Sequence, residues 1–154
     1  MAEDDTTDAF LLERTFARTG NRTSLHFVRD GQEAVDYLSG EGTFADREQH
    51  PIPALLLSDL KMPRLDGFQV LGWLRRQPGF KRLPVVILSS SSEPGDVNRA
   101  YDLGVNSFIT KPVTFESLVE VMKTIGRYWF EIVELPTEKL EDRHAQESSE
   151  SASR

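Results

Sequence analysis

The sequence predicts a doubly wound α/β fold on a parallel sheet, and two observations carry that expectation. Residues 54–57 and 85–88 are short, continuous apolar runs bounded by turn residues, as strands covered on both faces must be. Segments of helical periodicity fill the intervals between such runs, and this alternation implies right-handed crossovers onto one sheet.

The elements follow in order. Ala9, Leu12 and Phe16 recur at helical spacing behind Asp and Thr residues able to cap N–H groups, so a helix is expected over Thr6–Arg18, stopped by Gly20-Asn21. Residues 25–28 read as a short strand leading to Asp30-Gly31, and Ala34, Val35 and Leu38 place a second helix that ends at Gly40. Residues 40–53 read as a long polar loop before the strand at 54–57. Phe68, Leu71 and Leu74 lie on one side of a helix over Gly67–Arg76, closed by Pro78, before the strand at 85–88. Val97, Ala100 and Tyr101 mark a helix over 96–103, closed by Gly104; Ser107–Thr110 is the last strand, and Thr114 caps the final helix. Residues 136–154 turn abruptly to Glu, Ser, Lys and Arg, so residues 1–135 are expected to form one domain and 136–154 a disordered solvated tail.

Composition narrows the function. The 154 residues carry a formal charge of -7 with no concentration of Lys and Arg on any element, which argues against a nucleic-acid surface. Without Cys there is neither a disulfide framework nor a thiolate metal site, and His26, His50 and His144 show no ligand spacing. No run approaches the roughly 18 apolar residues of a membrane span, and the start at Met1-Ala2-Glu3-Asp4-Asp5 lacks the pattern of a secretion signal, so a cytoplasmic protein is expected.

The chemistry lies in the polar residues that follow the strands. Asp59, Ser89 and Lys111 each stand just past or at the end of a strand, and Glu3-Asp4 precede the first helix, so in a doubly wound sheet all fall at one end. Carboxylates, a hydroxyl and an ammonium converging there suit an oxygen-seeking divalent cation together with a phosphoryl group; Mg²⁺, which takes one or two carboxylates and keeps several waters, fits best. Taken singly, Asp59 also reads as a turn cap, Lys111 as a solvated loop charge, Glu3 and Asp4 as helix-start acids, and Phe108 as plain core.

Asp59-Leu60-Lys61-Met62-Pro63 followed by Asp66-Gly67, the Ser89 at a strand end, and Lys111-Pro112 resemble three motifs of the response-regulator receiver family. The resemblance implies a flavodoxin-like five-stranded sheet of order 2-1-3-4-5 with Asp59 as phosphoacceptor. It further implies Asp4 as principal metal ligand, Glu3 as its companion, the Lys61 backbone carbonyl as a further ligand, and Ser89 and Lys111 as holders of phosphate oxygens. Ser89 and Phe108 would act as the switch, and the Lys111–Pro112 bond would be cis. A sensor histidine kinase would then be the phosphodonor, and the output a contact with a downstream protein. A haloacid dehalogenase-type phosphohydrolase also uses an Asp nucleophile, Mg²⁺ and a Lys, but needs a second Asp two residues on, where this chain has Lys61. An unphosphorylated scaffold is the remaining alternative, weighed against by the intact Asp59, Ser89 and Lys111, so no enzyme is expected.

Leu118, Val121, Met122, Ile125, Trp129 and Ile132 form a stripe that continues past Gly126, beyond what covering a sheet requires. The surplus, with Tyr128, Trp129, Phe130 and Ile132 at its centre, is expected to form a homodimer surface. With the 40–53 loop, Gly126-Arg127-Tyr128-Trp129 leading to Leu135-Pro136 resembles single-domain regulators paired with phytochrome-type sensor kinases. At the other end, only Met1 and Ala2 stand where the first strand should be. That strand is expected to be truncated, with further apolar residues encoded upstream of Met1.

Overall fold

The computed structural model describes residues 1–20 and 23–137. In chain order these form α1 (Thr6–Arg18), α2 (Gly31–Ser39), β1 (Leu56–Ser58), α3 (Gly67–Arg76), β2 (Val85–Ser89), α4 (Pro94–Asp102), β3 (Ser107–Thr110) and α5 (Phe115–Arg127). β1, β2 and β3 pair in parallel in that order, with Ser58 beside Ile87 and Ser89 beside Thr110. The doubly wound α/β class stands.

The strand count differs from expectation. The two remaining positions of the sheet are held by single parallel bridges, Ala2 with Val28 on one side and with Ser58 on the other. Ala2 N–H donates to Leu57 O at 2.9 Å, Asp59 N–H to Ala2 O at 3.0 Å, Val28 N–H to Met1 O at 2.9 Å and Glu3 N–H to Val28 O at 3.0 Å. Along the sheet the order therefore runs Val28, Ala2, β1, β2, β3, the topology expected, with its first two positions each held by a single bridging residue. The strand expected over 25–28 is reduced to its last residue, Val28, which bridges to Ala2.

Alternate residues of the strands feed two cores. Leu56, Val85 and Ile87 face α2, α3 and α4 through Leu38, Leu71, Leu74 and Ala100. Leu57, Val86 and Leu88 face α1 and α5 through Leu12, Leu118, Met122 and Ile125. Burying a Leu, Val or Ile contributes roughly 1.5–3 kcal/mol relative to exposure. The alternation thus fixes which helices cover which face. Within α1, the buried Thr15 hydroxyl is the one fully buried side-chain polar atom without a partner among the described residues.

Local chemistry sets the helix ends. Asp5 accepts from the N–H groups of Thr7 and Asp8 to cap α1, Asp30 from Glu33 to cap α2, and Asp66 and Gln69 form a reciprocal capping box on α3. α4 begins at Pro94, ahead of the expected residue 96, since a proline at the first helical position gives up no hydrogen bond. The 40–53 loop is pinned rather than open. Arg47 donates to the carbonyls of Tyr37 and Leu38 at 2.7 Å each, satisfying the end of α2, and Phe44 and His50 pack on the Tyr37 ring.

At the end of the sheet where β2 and β3 begin, Arg75 of α3 acts as a second pin. Its guanidinium donates to Leu83 O at 2.8 Å, Lys81 O at 3.0 Å and Gly104 O at 2.8 Å. Asn106 completes this end by accepting from Val85 N–H at 2.8 Å.

α5 stops being α-helical at Arg127 and continues as one wider turn over Tyr128–Ile132, closed by Val133 N–H donating to Tyr128 O five residues back at 3.0 Å. The helical stripe drawn through Trp129 and Ile132 is therefore rephased. Trp129 packs back on the α1–α5 core, whereas Tyr128 is 49% and Ile132 59% exposed and Phe130 is half-buried. Of the expected tail, residues 136 and 137 lack regular structure, and 138–154 lie outside the described residues.

Candidate functional site

The strand ends bring the expected residues together. Glu3 follows the Ala2 bridge, Asp59 follows β1, Ser89 closes β2 and Lys111 follows β3. All therefore emerge at the carboxyl end of a parallel sheet, where backbone pairing stops and side chains turn into the crevice. The ladder reaches slightly further at Lys111, whose N–H donates to Ser89 O at 2.7 Å.

Three acids form a cluster: oxygens of Glu3, Asp4 and Asp59 lie within 4.8 Å of one another. Glu3 is buried, Asp59 half-buried and Asp4 exposed, which leaves an approach from solvent. An all-oxygen donor set of this kind fits a hard divalent cation. Lys61, two residues past Asp59, lies in the loop between β1 and α3 with its side chain in solvent.

One ammonium meets this negative charge. Lys111 Nζ donates to Glu3 Oε2 at 2.7 Å, Asp8 Oδ2 at 3.1 Å and Asp59 Oδ2 at 3.2 Å. Burial alone would pull the Lys111 pKa down, but the hydrogen bond it donates to Glu3, the charges of Asp59 and Glu3, and the bond it donates to Asp8 outweigh burial and hold the pKa above the ordinary lysine value. For Glu3, burial pushes the carboxyl pKa up and the nearby Asp59 charge adds to the rise, against the opposing pull of Lys111.

Asp8 was missed by the sequence reading. An acid in the first turn of a helix is ordinarily read as a complement to the helix dipole, and its partner Lys111 lies 103 residues away.

The loop after Asp59 is held by close backbone approach. A Cβ on Gly67 would lie 2.4 Å from Asp59 O, and one on Gly31 2.0 Å from Leu65 O. Arg64, at φ +64°, reaches back to Asp30 with bonds of 2.9 and 3.0 Å. Asp59 Oδ1 accepts from Leu60 N–H at 2.7 Å, leaving Oδ2 toward Lys111.

Ser89 is buried and its Oγ accepts from Ser91 N–H at 3.2 Å, while Ser91 Oγ is committed to Asp96 at 2.7 Å. Phe108 is half-buried against the α2–α3–α4 core, and its N–H donates to the Tyr101 hydroxyl at 3.3 Å. The Lys111–Pro112 peptide, expected to be cis, is trans, as is every other peptide among the described residues. Trans is favoured by about 0.5–1 kcal/mol even before proline, and Lys111 is aimed inward by its own backbone bond to Ser89 and its three carboxylates.

Residues 1–123 match the profile of the response regulator receiver domain. The chain is 34% identical over 136 residues to the response regulator Rcp1 of Synechocystis sp., covering 88% of this chain and 90% of that protein. The crystal structure of response regulator RPA3017, described as acting in red light signalling of R. palustris, superposes with a TM-score of 0.84 at 38% identity, over 88% of this chain and 95% of that one. The phosphorylated cyanobacterial phytochrome response regulator RcpA gives a TM-score of 0.81 at 37% identity, over 88% and 95%. The Mn²⁺-bound form of Rcp1 gives 0.78 at 34% identity, over 88% and 96%.

Proposed function

Because the chain belongs to the response regulator receiver family, we propose that Asp59 accepts a phosphoryl group from the phosphohistidine of a sensor kinase and that the output is a protein contact. One carboxylate oxygen of Asp59 attacks phosphorus in line; the P–N bond to the imidazole breaks, its electron pair stays on nitrogen, and an acyl phosphate forms. A divalent cation, which we take to be Mg²⁺, neutralises charge on the transferring phosphoryl oxygens when bound by Glu3, Asp4, Asp59 and the Lys61 carbonyl. Lys111 and Ser89 hold the phosphoryl oxygens afterwards, and Ser89 and Phe108 relay the change to α4, β3 and α5. The kinship to phytochrome response regulators favours a light-sensing kinase as donor. We place this exchange in the cytoplasm; no described helix is long and apolar enough to cross a membrane.

The observation that carries this reading is the contact of Lys111 Nζ with Asp59 Oδ2 at 3.2 Å inside the acidic cluster. Incubation with a radiolabelled small phosphodonor and Mg²⁺ should give one stoichiometric, base-labile label that Asp59→Asn abolishes. Steady turnover without retained label would instead support a phosphohydrolase, and no label a scaffold.

We further propose a homodimer through the segment after α5, supported by the exposure of Tyr128 and Ile132. Tyr128→Ala with Ile132→Ala, which spares Trp129 in its own core, should halve the mass seen by light scattering; a monomeric wild type sinks the idea.

A further inference from the structure

We propose that Asp8 is a positioning residue for Lys111, supplying the carboxylate that keeps this ammonium beside Asp59 once a divalent cation has drawn Glu3 and Asp59 to itself. The inference rests on the reading of Asp59 as a metal-assisted phosphoacceptor. It starts from a competition in the geometry. Lys111 touches three carboxylates, those of Glu3, Asp8 and Asp59. Two of these, Glu3 and Asp59, also belong to the cluster suited to a cation. A cation there takes the same oxygens and repels the ammonium. Screening is weak at this point, since the Glu3 and Lys111 side chains are only 2% and 14% exposed.

Asp8 stands outside the competition. It comes from the first turn of α1 rather than from a strand end, and it is not part of the acidic cluster. Its backbone is fixed by its N–H bond to the Asp5 cap at 2.9 Å, so the carboxylate is presented from a rigid turn. With Asp8 in place, Lys111 has a counter-charge of its own and leaves Glu3 and Asp59 to the cation. Without it, the ammonium falls back on those two acids and opposes the cation.

The test is a double-mutant cycle on Mg²⁺ binding by the unphosphorylated full chain, read by calorimetry, with the melting curve of each variant as a check on folding. Asp8→Asn should weaken Mg²⁺ binding roughly three- to tenfold when Lys111 is present and by less than about twofold in a Lys111→Ala background; Asp8→Glu should restore most of the loss. If Lys111→Ala fails to fold, Lys111→Met, which keeps the aliphatic stem, takes its place. An equal loss in both backgrounds would assign Asp8 to the general negative field of the site and overturn the proposal, as would no loss in either. Failure of wild type to label at Asp59 sinks the phosphoacceptor reading independently of the cycle, whereas normal labelling with a null cycle removes Asp8 alone.

Discussion

At the scale of single residues, the site is a balance in which four carboxylates, Glu3, Asp4, Asp8 and Asp59, are set against one ammonium. Neutralising one acid should therefore stabilise the metal-free protein at the expense of cation binding. We expect Asp4→Asn to raise stability by about 0.5–2 kcal/mol and to blunt the further gain on adding Mg²⁺; a lower melting temperature in the variant would show that the acids are not in conflict. Removing the ammonium should do the opposite. Because the folded-state pKa of Lys111 is raised, its stabilisation is fully present below the unfolded lysine value of about 10.4 and is lost as pH rises beyond it. Lys111→Met should thus melt below wild type by a constant margin from neutral pH to about pH 10, and the margin should shrink above that. A margin that widened in alkali would contradict the sign. Asp59, Ser89 and Lys111 were legible in the sequence because each ends a recognisable strand, whereas Asp8 was not, since only the packing of α1 against the strand ends gives its charge a partner.

At the scale of elements, the helices and the two strands expected at 54–57 and 85–88 could be read from periodicity and from continuous apolar runs, because burial imposes those patterns directly on residues such as Leu71, Leu74, Val86 and Ile87; the first of these strands lies two residues later at its start, over Leu56–Ser58, since Ala54 is exposed. What could not be read was geometry set by contact at a distance. The rephased turn at Tyr128–Ile132 follows a sequence that continues a helical stripe, and the pairing of 25–28 is confined to a single bridge at Val28. The loop from Asp59 to Gly67 is likewise fixed by neighbours. Gly67→Ala would bring a Cβ to 2.4 Å from Asp59 O, where only backbone can give way. We expect it to cost about 1–3 kcal/mol and to impair labelling of Asp59; chemical denaturation and the labelling assay check both halves. In α1, Thr15→Val removes a buried hydroxyl that has no partner among the described residues and should raise stability by about 1–2 kcal/mol. A loss of stability would mean that the hydroxyl is satisfied in solution.

At the scale of the whole molecule, the sheet has two unlike ends. One gathers the charges of Glu3, Asp59 and Lys111, and a cation that binds the folded chain alone should stabilise it by about 2.7 kcal/mol at a concentration one hundred times its dissociation constant. The other is where Arg75 ties the approaches to β2 and β3 together through the carbonyls of Lys81, Leu83 and Gly104. If phosphorylation of Asp59 displaces Ser89 and Lys111 as proposed, this tie would serve as the fulcrum: strands fastened at their roots swing at their tips, so the displacement would be spent on α4 and on the tip of β3 instead of dissipating through the base. Amide exchange around Val105 and Asn106 should therefore be equally slow before and after phosphorylation, while the stretch from Ser90 to Asp96 changes its rate. Replacing Arg75 with Gln would loosen the roots, and the same phosphoryl group would then move the whole sheet a little in place of one rim a lot.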